Sequence, residues 1–397
     1  MTLDRRTLLH SAVGAAVLGA AAPRFSFAAT PGERRLIVVI LRGALDGLAA
    51  VPPLSDPDYA RARGALALSK SGEGAAFDLD GSFALNGKMP TFKALWDQKQ
   101  LAIVHAVASP YRDRSHFDGQ NVIETGATRP IATGDGWLNR ALGPVGISDP
   151  KLALAIAQSV PVILQGPRQV SSWMPAQLPA VDDDFVSRLQ AMYARDPLLR
   201  SALERAMQVQ SVAGSGMQPM QGQAGGRRGY RFEPIVRAAA NIMAAADGPR
   251  VTVMEVYGWD THQGQGTTQG PLANVLDGLD KGVKILSDAL RPVWDSTAIL
   301  FFTEFGRTVA PNGSIGTDHG TASVAMVAGG AVSGGRVLGN WPGLRNLYEG
   351  RDLMPTTDLR AVFKGVLGDH MRLSRGELDG IFPDSANVAP VSGLIRT

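Results

Sequence analysis

Arg250-Val-Thr-Val-Met-Glu-Val256, a helically spaced stretch from Leu272 to Leu290, and Ser296-Thr-Ala-Ile-Leu-Phe-Phe302 decide how this chain folds. The two apolar runs predict strands and the segment between them a helix. Strand, helix, strand is the βαβ unit, whose right-handed crossover sets the strands parallel and brings both C-terminal loops to one edge. Those loops read Tyr257-Gly-Trp-Asp-Thr-His262 and Thr303-Glu-Phe-Gly-Arg-Thr308. Open α/β sheets bind ligands at the carboxyl ends of their strands. Asp260, His262 and Glu304 are therefore expected to face one another.

The same pattern extends outward. Gly316-Thr-Asp-His-Gly-Thr321 precedes another apolar run, Ala322 to Ala328. Near the start, Arg35-Leu-Ile-Val-Val-Ile-Leu41 is continuous and rich in β-branched residues, which predicts a strand buried on both faces. It ends in Arg42-Gly-Ala-Leu-Asp46-Gly47, and Asp46 falls just past the strand, where it could also cap the next segment. Leu101 to Val107 predicts a further strand, with His105 expected to be buried and hydrogen-bonded. A polar segment then leads to a predicted helix from Phe117 to Glu124 with Ser115 at its N-cap. A hydroxyl there faces free backbone N–H groups and the positive end of the helix dipole, which favours an anionic ligand. Ser115, His116 and Asp118 place three reactive side chains within four positions, and Ser115 and His116, with Arg307, are the candidate catalytic residues.

Helices are predicted at Pro90 to Asp97, Trp137 to Leu142, Phe232 to Ala246 and Thr357 to Leu367. Leu152 to Ala157 and Val160 to Leu164 read as strand-like runs, and Asp182 to Val209 as helical with a break at Pro197. Residues 213 to 229, rich in Gly and Gln, cannot bury a core and predict a linker or loop. Residues on both sides of it carry the chemistry, so residues 29 to 397 are expected to form one domain.

At 397 residues, with 45% apolar and 19% charged residues, the chain has ordinary globular composition. Its formal charge of +3 falls to about +1 without the first 28 residues, which hold Arg5, Arg6 and Arg24 against Asp4. That balance excludes a nucleic-acid footprint. The chain has no cysteine, so disulfides, thiolate metal sites and a cysteine nucleophile are ruled out. Asp4-Arg-Arg-Thr-Leu-Leu9, the small apolar residues from Ala12 to Ala22, and Ser26-Phe-Ala28 predict a twin-arginine export signal cleaved near residue 28. A periplasmic or secreted location follows, with the twin-arginine translocase as a transient partner.

Gathering the residues at predicted strand ends gives Asp46, Ser115, His116, Asp260, His262, Glu304, Arg307, Asp318 and His319. Three of the six histidines lie among them. Carboxylate with neutral imidazole and no thiolate is a ligand set for catalytic zinc, manganese or iron. Asp260, His262 and His319 supply three ligands, Asp46 and Glu304 could hold a second ion, and Arg307 could complement an anionic group. No dinucleotide-type glycine fingerprint follows the first strand, which argues against an oxidoreductase.

These residues resemble a family. The export signal, Leu41-Arg-Gly-Ala-Leu-Asp-Gly47, Ser115-His-Phe-Asp118, Gly258-Trp-Asp-Thr-His262, Glu304-Phe-Gly-Arg-Thr308 and Thr317-Asp-His-Gly320 look like domain-of-unknown-function family 1501, a bacterial exported family. That family in turn is similar to the alkaline phosphatase and sulfatase superfamily. The resemblance implies an alkaline-phosphatase-like α/β three-layer sandwich, with a mostly parallel central sheet and helices on both faces. It implies a divalent ion, zinc or manganese, a small anionic phosphate or sulfate ester as substrate, and Ser115 or a metal-bound water as the attacking group. Asp46 resembles the early metal aspartate, Asp260 and His262 a ligand pair, Glu304 the start of a second pair, and His319 the last histidine. Phe305 departs from the pattern, standing where a histidine or asparagine ligand is expected, so a second ion would be held weakly unless Asp318 or His116 replaces that ligand. The alternative is a catalytically degenerate exported protein that keeps the fold for binding or for assembly with a co-exported partner.

Overall fold

The structure, a computed structural model, describes residues 34–72, 74–174, 183–213 and 232–396. The predicted export signal lies outside these residues, as does nearly all of the Gly/Gln-rich stretch. The main strands are β1 (Arg35–Arg42), β4 (Leu101–Ala108), β5 (Ala153–Ile156), β6 (Ser171–Trp173), β7 (Val251–Tyr257), β8 (Thr297–Phe302), β9 (Ser323–Ala328), β10 (Arg336–Leu338) and β11 (Thr357–Asp358). Two short strands, β2 (Phe77–Asp78) and β3 (Ala84–Leu85), pair with each other apart from this sheet. The sheet runs in the order β10-β4-β9-β8-β1-β7-β5-β6, and β11 adds to β4.

β1 lies between β7 and β8 and is parallel to both, with Val38 opposite Val253 on one side and Leu300 on the other. The exception to parallel pairing is β9, which is antiparallel to β8 and to β4. No helix intervenes between β8 and β9, so the chain returns directly, as antiparallel neighbours allow and parallel ones do not. Two antiparallel steps restore direction, and β4 therefore points the same way as β1. The loops after β1, β4, β7 and β8 and the loop entering β9 consequently meet at one edge.

The helices are α1 (Gly47–Ala50), α2 (Tyr59–Arg63), α3 (Pro90–Asp97), α4 (His116–Thr125), α5 (Trp137–Leu142), α6 (Asp183–Tyr193), α7 (Pro197–Ala213), α8 (Phe232–Ala244), α9 (Pro271–Ala289), α10 (Leu359–Met371) and α11 (Arg375–Ile381). Alternate residues of β1 serve two cores. Ile37, Val39 and Leu41 pack with Phe232 of α8, Leu276 and Leu279 of α9 and Phe92 of α3. Leu36, Val38 and Ile40 pack with Trp137 of α5, Phe363 of α10 and Leu378 of α11. All eight residues of β1 are buried, and the molecule has the expected three layers, helices on both faces of a mostly parallel sheet.

Two local expectations change. Val162–Leu164 is a 3-10 turn rather than a strand: Pro161 has no N–H for a ladder, and the Ile163 N–H instead donates to Glu124 Oε2 at 3.0 Å. The closing helix begins at Leu359, after β11, and α11 follows it, opened by a capping box between Ser374 and Glu377. His105 is buried within β4, its Nε2 3.0 Å from the Val51 carbonyl.

Candidate metal centre

Three imidazoles from three different loops turn their Nε2 atoms toward one carboxylate, that of Asp260. His262 Nε2 lies 2.9 Å from Asp260 Oδ1. His319 Nε2 lies 3.2 Å from the same oxygen and 3.1 Å from His262 Nε2. His116 Nε2 approaches the other oxygen, Oδ2, at 3.5 Å. His116 heads α4, Asp260 and His262 follow β7, and His319 precedes β9, so the sheet edge assembles residues spread over some two hundred positions.

Each imidazole is fixed through its other nitrogen. His116 Nδ1 is 2.8 Å from Glu304 Oε1, His262 Nδ1 is 3.1 Å from Asp318 Oδ1, and His319 Nδ1 is 2.9 Å from the Arg114 carbonyl. A carboxylate or carbonyl behind each ring sets its orientation and raises its basicity as a ligand. Arg114 holds a positive φ of 59° to present that carbonyl, and its side chain is anchored on Asp352 and Glu349. Backbone strain at such a position is sustained by the surrounding contacts.

Close backbone packing brings the loops together. Gly43 has φ +118°, and a Cβ there would lie 2.8 Å from the Asp260 amide nitrogen. A Cβ on Gly316 would lie 2.2 Å from the carbonyl carbon of His262. Both positions need glycine for the loops to touch.

Several predicted ligands have other tasks. Asp46 caps α1, accepting from the Leu48 and Ala49 amides through Oδ1. Its Oδ2 meets Arg63 Nη2 at 2.5 Å and Gln265 Nε2 at 2.7 Å. A guanidinium thus sits on the carboxylate expected to hold a second ion. Glu304 is completely buried, and its Oε1 accepts from the Gly43 amide, Gln120 Nε2 and His116, while Oε2 accepts from Thr303 Oγ1. It has no free face for metal and acts as the carboxylate behind His116. Asp318 likewise stands behind His262 and accepts from Asn312 Nδ2 at 3.0 Å.

Arg307 is also buried and turned inward. Its Nη1 is 2.6 Å from Asp260 Oδ1, and its Nε and Nη2 bond the Thr317 hydroxyl and carbonyl. His116 joins the ligand group in place of the free catalytic role expected for it. The ligand-capable atoms of His116, Asp260 and His319 all lie within 4.8 Å of one another. Phe305 is neither ligand nor gap: its buried ring stacks on His116 at 5.0 Å and packs against His319 at 5.1 Å. Ser115 is the N-cap residue of α4, as expected, but its side chain makes no capping bond.

The electrostatics follow from this packing. Burial pushes the Asp260 carboxyl upward, but hydrogen bonds from His116 and His319 and the Arg307 guanidinium hold it well below the usual range. Burial is likewise overcome at Glu304 by His116, Gln120 and backbone donors. Hydrogen bonding to Asp260 and Glu304 raises His116 to about 9. His116 Nε2 is buried and has no partner closer than Asp260 Oδ2, at a long 3.5 Å. An unsatisfied buried nitrogen costs about 1–3 kcal/mol, and one aimed at a carboxylate beside two further imidazoles fits a cation. His116, Asp260 and His319 form a nitrogen and carboxylate donor set suited to a divalent transition ion, and His262 Nε2 adjoins it beside Asp260 Oδ1 and His319 Nε2.

Gln120, Arg114 and Asn312 were not anticipated from sequence. Gln120 had a legible signal, since it lies four residues after His116 on one helix face and both reach Glu304.

Solved structures similar in shape include a sulfatase from Pseudoalteromonas sp., 14% identical over 100% of this chain and 78% of that one, with a TM-score of 0.40. The phosphonate monoester hydrolase of Agrobacterium radiobacter is 12% identical over 86% of this chain and 74% of that one, with a TM-score of 0.41. The C-terminal periplasmic domain of an Escherichia coli protein, in complex with zinc, is 9% identical over 76% and 74%, with a TM-score of 0.35. At this level of likeness no residue's role passes from those proteins to this one. No curated protein matches the chain in sequence. The model of a family described as a protein of unknown function, DUF1501, matches residues 94–382, more than two thirds of the chain, and the chain belongs to that family.

Proposed function

We propose that this protein is a metal-dependent hydrolase of phosphate or sulfate esters, holding one divalent ion, zinc or manganese, on His116, Asp260, His262 and His319. The observation that carries this reading is the convergence of three Nε2 atoms on one carboxylate, each ring held from behind by Glu304, Asp318 or the Arg114 carbonyl. When bound, such an ion supplies Lewis acidity for an ester oxygen.

The chain's own residues do the rest. Arg307 keeps Asp260 ionised and in place, and Glu304 and Asp318 keep their imidazoles aimed. Ser115, with a hydroxyl free of capping and directly before the ligand His116, is the proposed nucleophile. The free N–H groups at the start of the ten-residue α4 favour negative charge beside it. One ion suffices in this reading, because both Asp46 oxygens are taken by the Leu48 and Ala49 amides, Arg63 and Gln265, and the Glu304 carboxylate already accepts from Gly43, Gln120, His116 and Thr303.

Export rests on the amino-terminal sequence. No helix among the described residues is long and apolar enough to cross a membrane. The single domain, the twin-arginine translocase as transient partner and the small anionic ester as substrate belong to the same proposal.

Phe305, apolar and packed against two of the ligating rings, favours a second reading, a binding or assembly protein that keeps the ion without turnover. Steady-state assays of the zinc- or manganese-loaded full chain on aryl phosphates, phosphodiesters and sulfates separate the two. Turnover lost with a chelator and restored by the ion supports the hydrolase, whereas inactivity on every ester at full metal occupancy supports the binding role.

A further inference from the structure

Beside the ligand cluster lies a cavity of about 420 Å³, within the size range of small-molecule sites, roughly 300–1,000 Å³. It shares a wall with the cluster. Asp318 and Asn312 line it, and these two residues hold His262 through its Nδ1 and its carbonyl. Arg351 lines it as well, and its Nη2 donates to the His319 carbonyl at 2.5 Å. On this side His262 is 41% exposed and its support Asp318 54%; among the other ligands Asp260 is 44% exposed, His116 24% and His319 26%.

The remaining lining is largely apolar, with Ala310, Pro311, Leu344 and Leu347 contributing to it. Two arginines, Arg61 and Arg351, line it against the single carboxylate of Asp318. Their own ion-pair partners, Asp58 and Asp352, stand outside the lining.

We propose that this cavity receives the organic body of the ester, and that the body is an aryl or short alkyl group carrying a second negative charge. The inference rests on the ester-hydrolase reading of the metal centre and adds to it the class of group esterified. Apolar walls favour the carbon skeleton. The guanidinium groups favour its distal anion, and Asp318 disfavours placing that anion next to the metal.

The test is equilibrium binding, by calorimetry, of methylphosphonate, phenylphosphonate and 4-carboxyphenylphosphonate to the zinc-loaded full chain. Burying the ring should tighten binding about tenfold or more over methylphosphonate, and the carboxylate should tighten it further at low salt. Ala310→Trp, which fills the cavity from a residue that is neither a ligand nor a ligand support, should remove the preference for the ring while methylphosphonate binds as before and zinc content, which would fall if the indole displaced Asp318 or Asn312, stays at the wild-type level. Arg61→Glu should remove only the gain from the carboxylate. Equal binding of the three probes, or a ring preference that survives Ala310→Trp, overturns the subsite while leaving the metal centre's reading intact. A carboxylate gain unchanged in Arg61→Glu overturns the assignment of a second charge. No binding by any probe at full zinc occupancy overturns the hydrolase reading and the subsite with it.

Discussion

Glu304 Oε1 stands 2.8 Å from His116 Nδ1, and the glutamate is completely buried while doing so. The carboxylate is therefore an internal support for a metal-facing ring. Glu304→Gln keeps the shape but gives His116 a weaker partner. Zinc affinity, measured by competition with a chelating dye, should fall by about 10–100-fold, with little change in far-UV circular dichroism. Unchanged affinity would remove Glu304 from the centre.

Ser115 and the ligands can be separated by one variant. Ser115→Ala leaves every ligand and its support in place, so zinc content should stay at the wild-type level. Ester turnover should drop by at least about 100-fold if the hydroxyl attacks. Retained turnover would transfer the attack to water.

Phe305 packs against two ligating rings, His116 and His319. Phe305→Ala opens a cavity at a buried aromatic, and the expected loss is about 3–5 kcal/mol of stability, read from urea unfolding of the zinc-free protein. Zinc affinity should also weaken, since His116 and His319 lose the ring that packs against both. Wild-type stability in this variant would contradict the packing role.

Buried histidines away from the site set a pH dependence. Burial lowers His105 and His370 to about 4, from an ordinary value near 6.5. His105 accepts from the Ala106 amide through Nδ1 and bonds Val51 through Nε2, and His370 bonds the Arg35 carbonyl, so both fit as neutral rings. Above about pH 6.5 neither state takes a proton and nothing is lost. As pH falls from there toward 4, the unfolded chain binds protons that the folded one refuses, so stability decreases by up to about 3 kcal/mol per histidine. His116 works the opposite way, its folded value raised to about 9. Its contribution is complete below about pH 6.5 and is lost as pH rises through 9 in the zinc-free protein. Urea midpoints at pH 6.5 and 4.5 should therefore fall less in His105→Gln than in wild type; parallel curves would contradict the assignment.

Much of the fold was legible because burial on both faces writes continuous apolar runs, as in β1, and because helices such as α9 keep their 3.6-residue period. β6 escaped notice, since Ser171–Trp173 is three residues long and has no pattern to detect. The antiparallel direction of β9 was also invisible, because direction depends on which neighbours a strand finds. At the site, residue type and position past a strand end pointed to Asp260, His262 and His319. The same signals could not distinguish a ligand from its support. Asp46 and Glu304 look alike in sequence, and only the positions of Arg63, Gln265, Gly43 and Gln120 show that their oxygens are already occupied. Likewise, Arg307 reads as a substrate clamp until Thr317 and Asp260 are seen to take its nitrogens.

The central claim is that three Nε2 atoms and Asp260 hold one ion. Anomalous diffraction at the zinc edge from crystals of the zinc-loaded protein tests it most directly. A single strong peak per chain is expected, within about 2.0–2.2 Å of ligand atoms from His116, Asp260, His262 and His319. An empty cluster at saturating zinc, or a second full peak between Asp46 and Glu304, would contradict it.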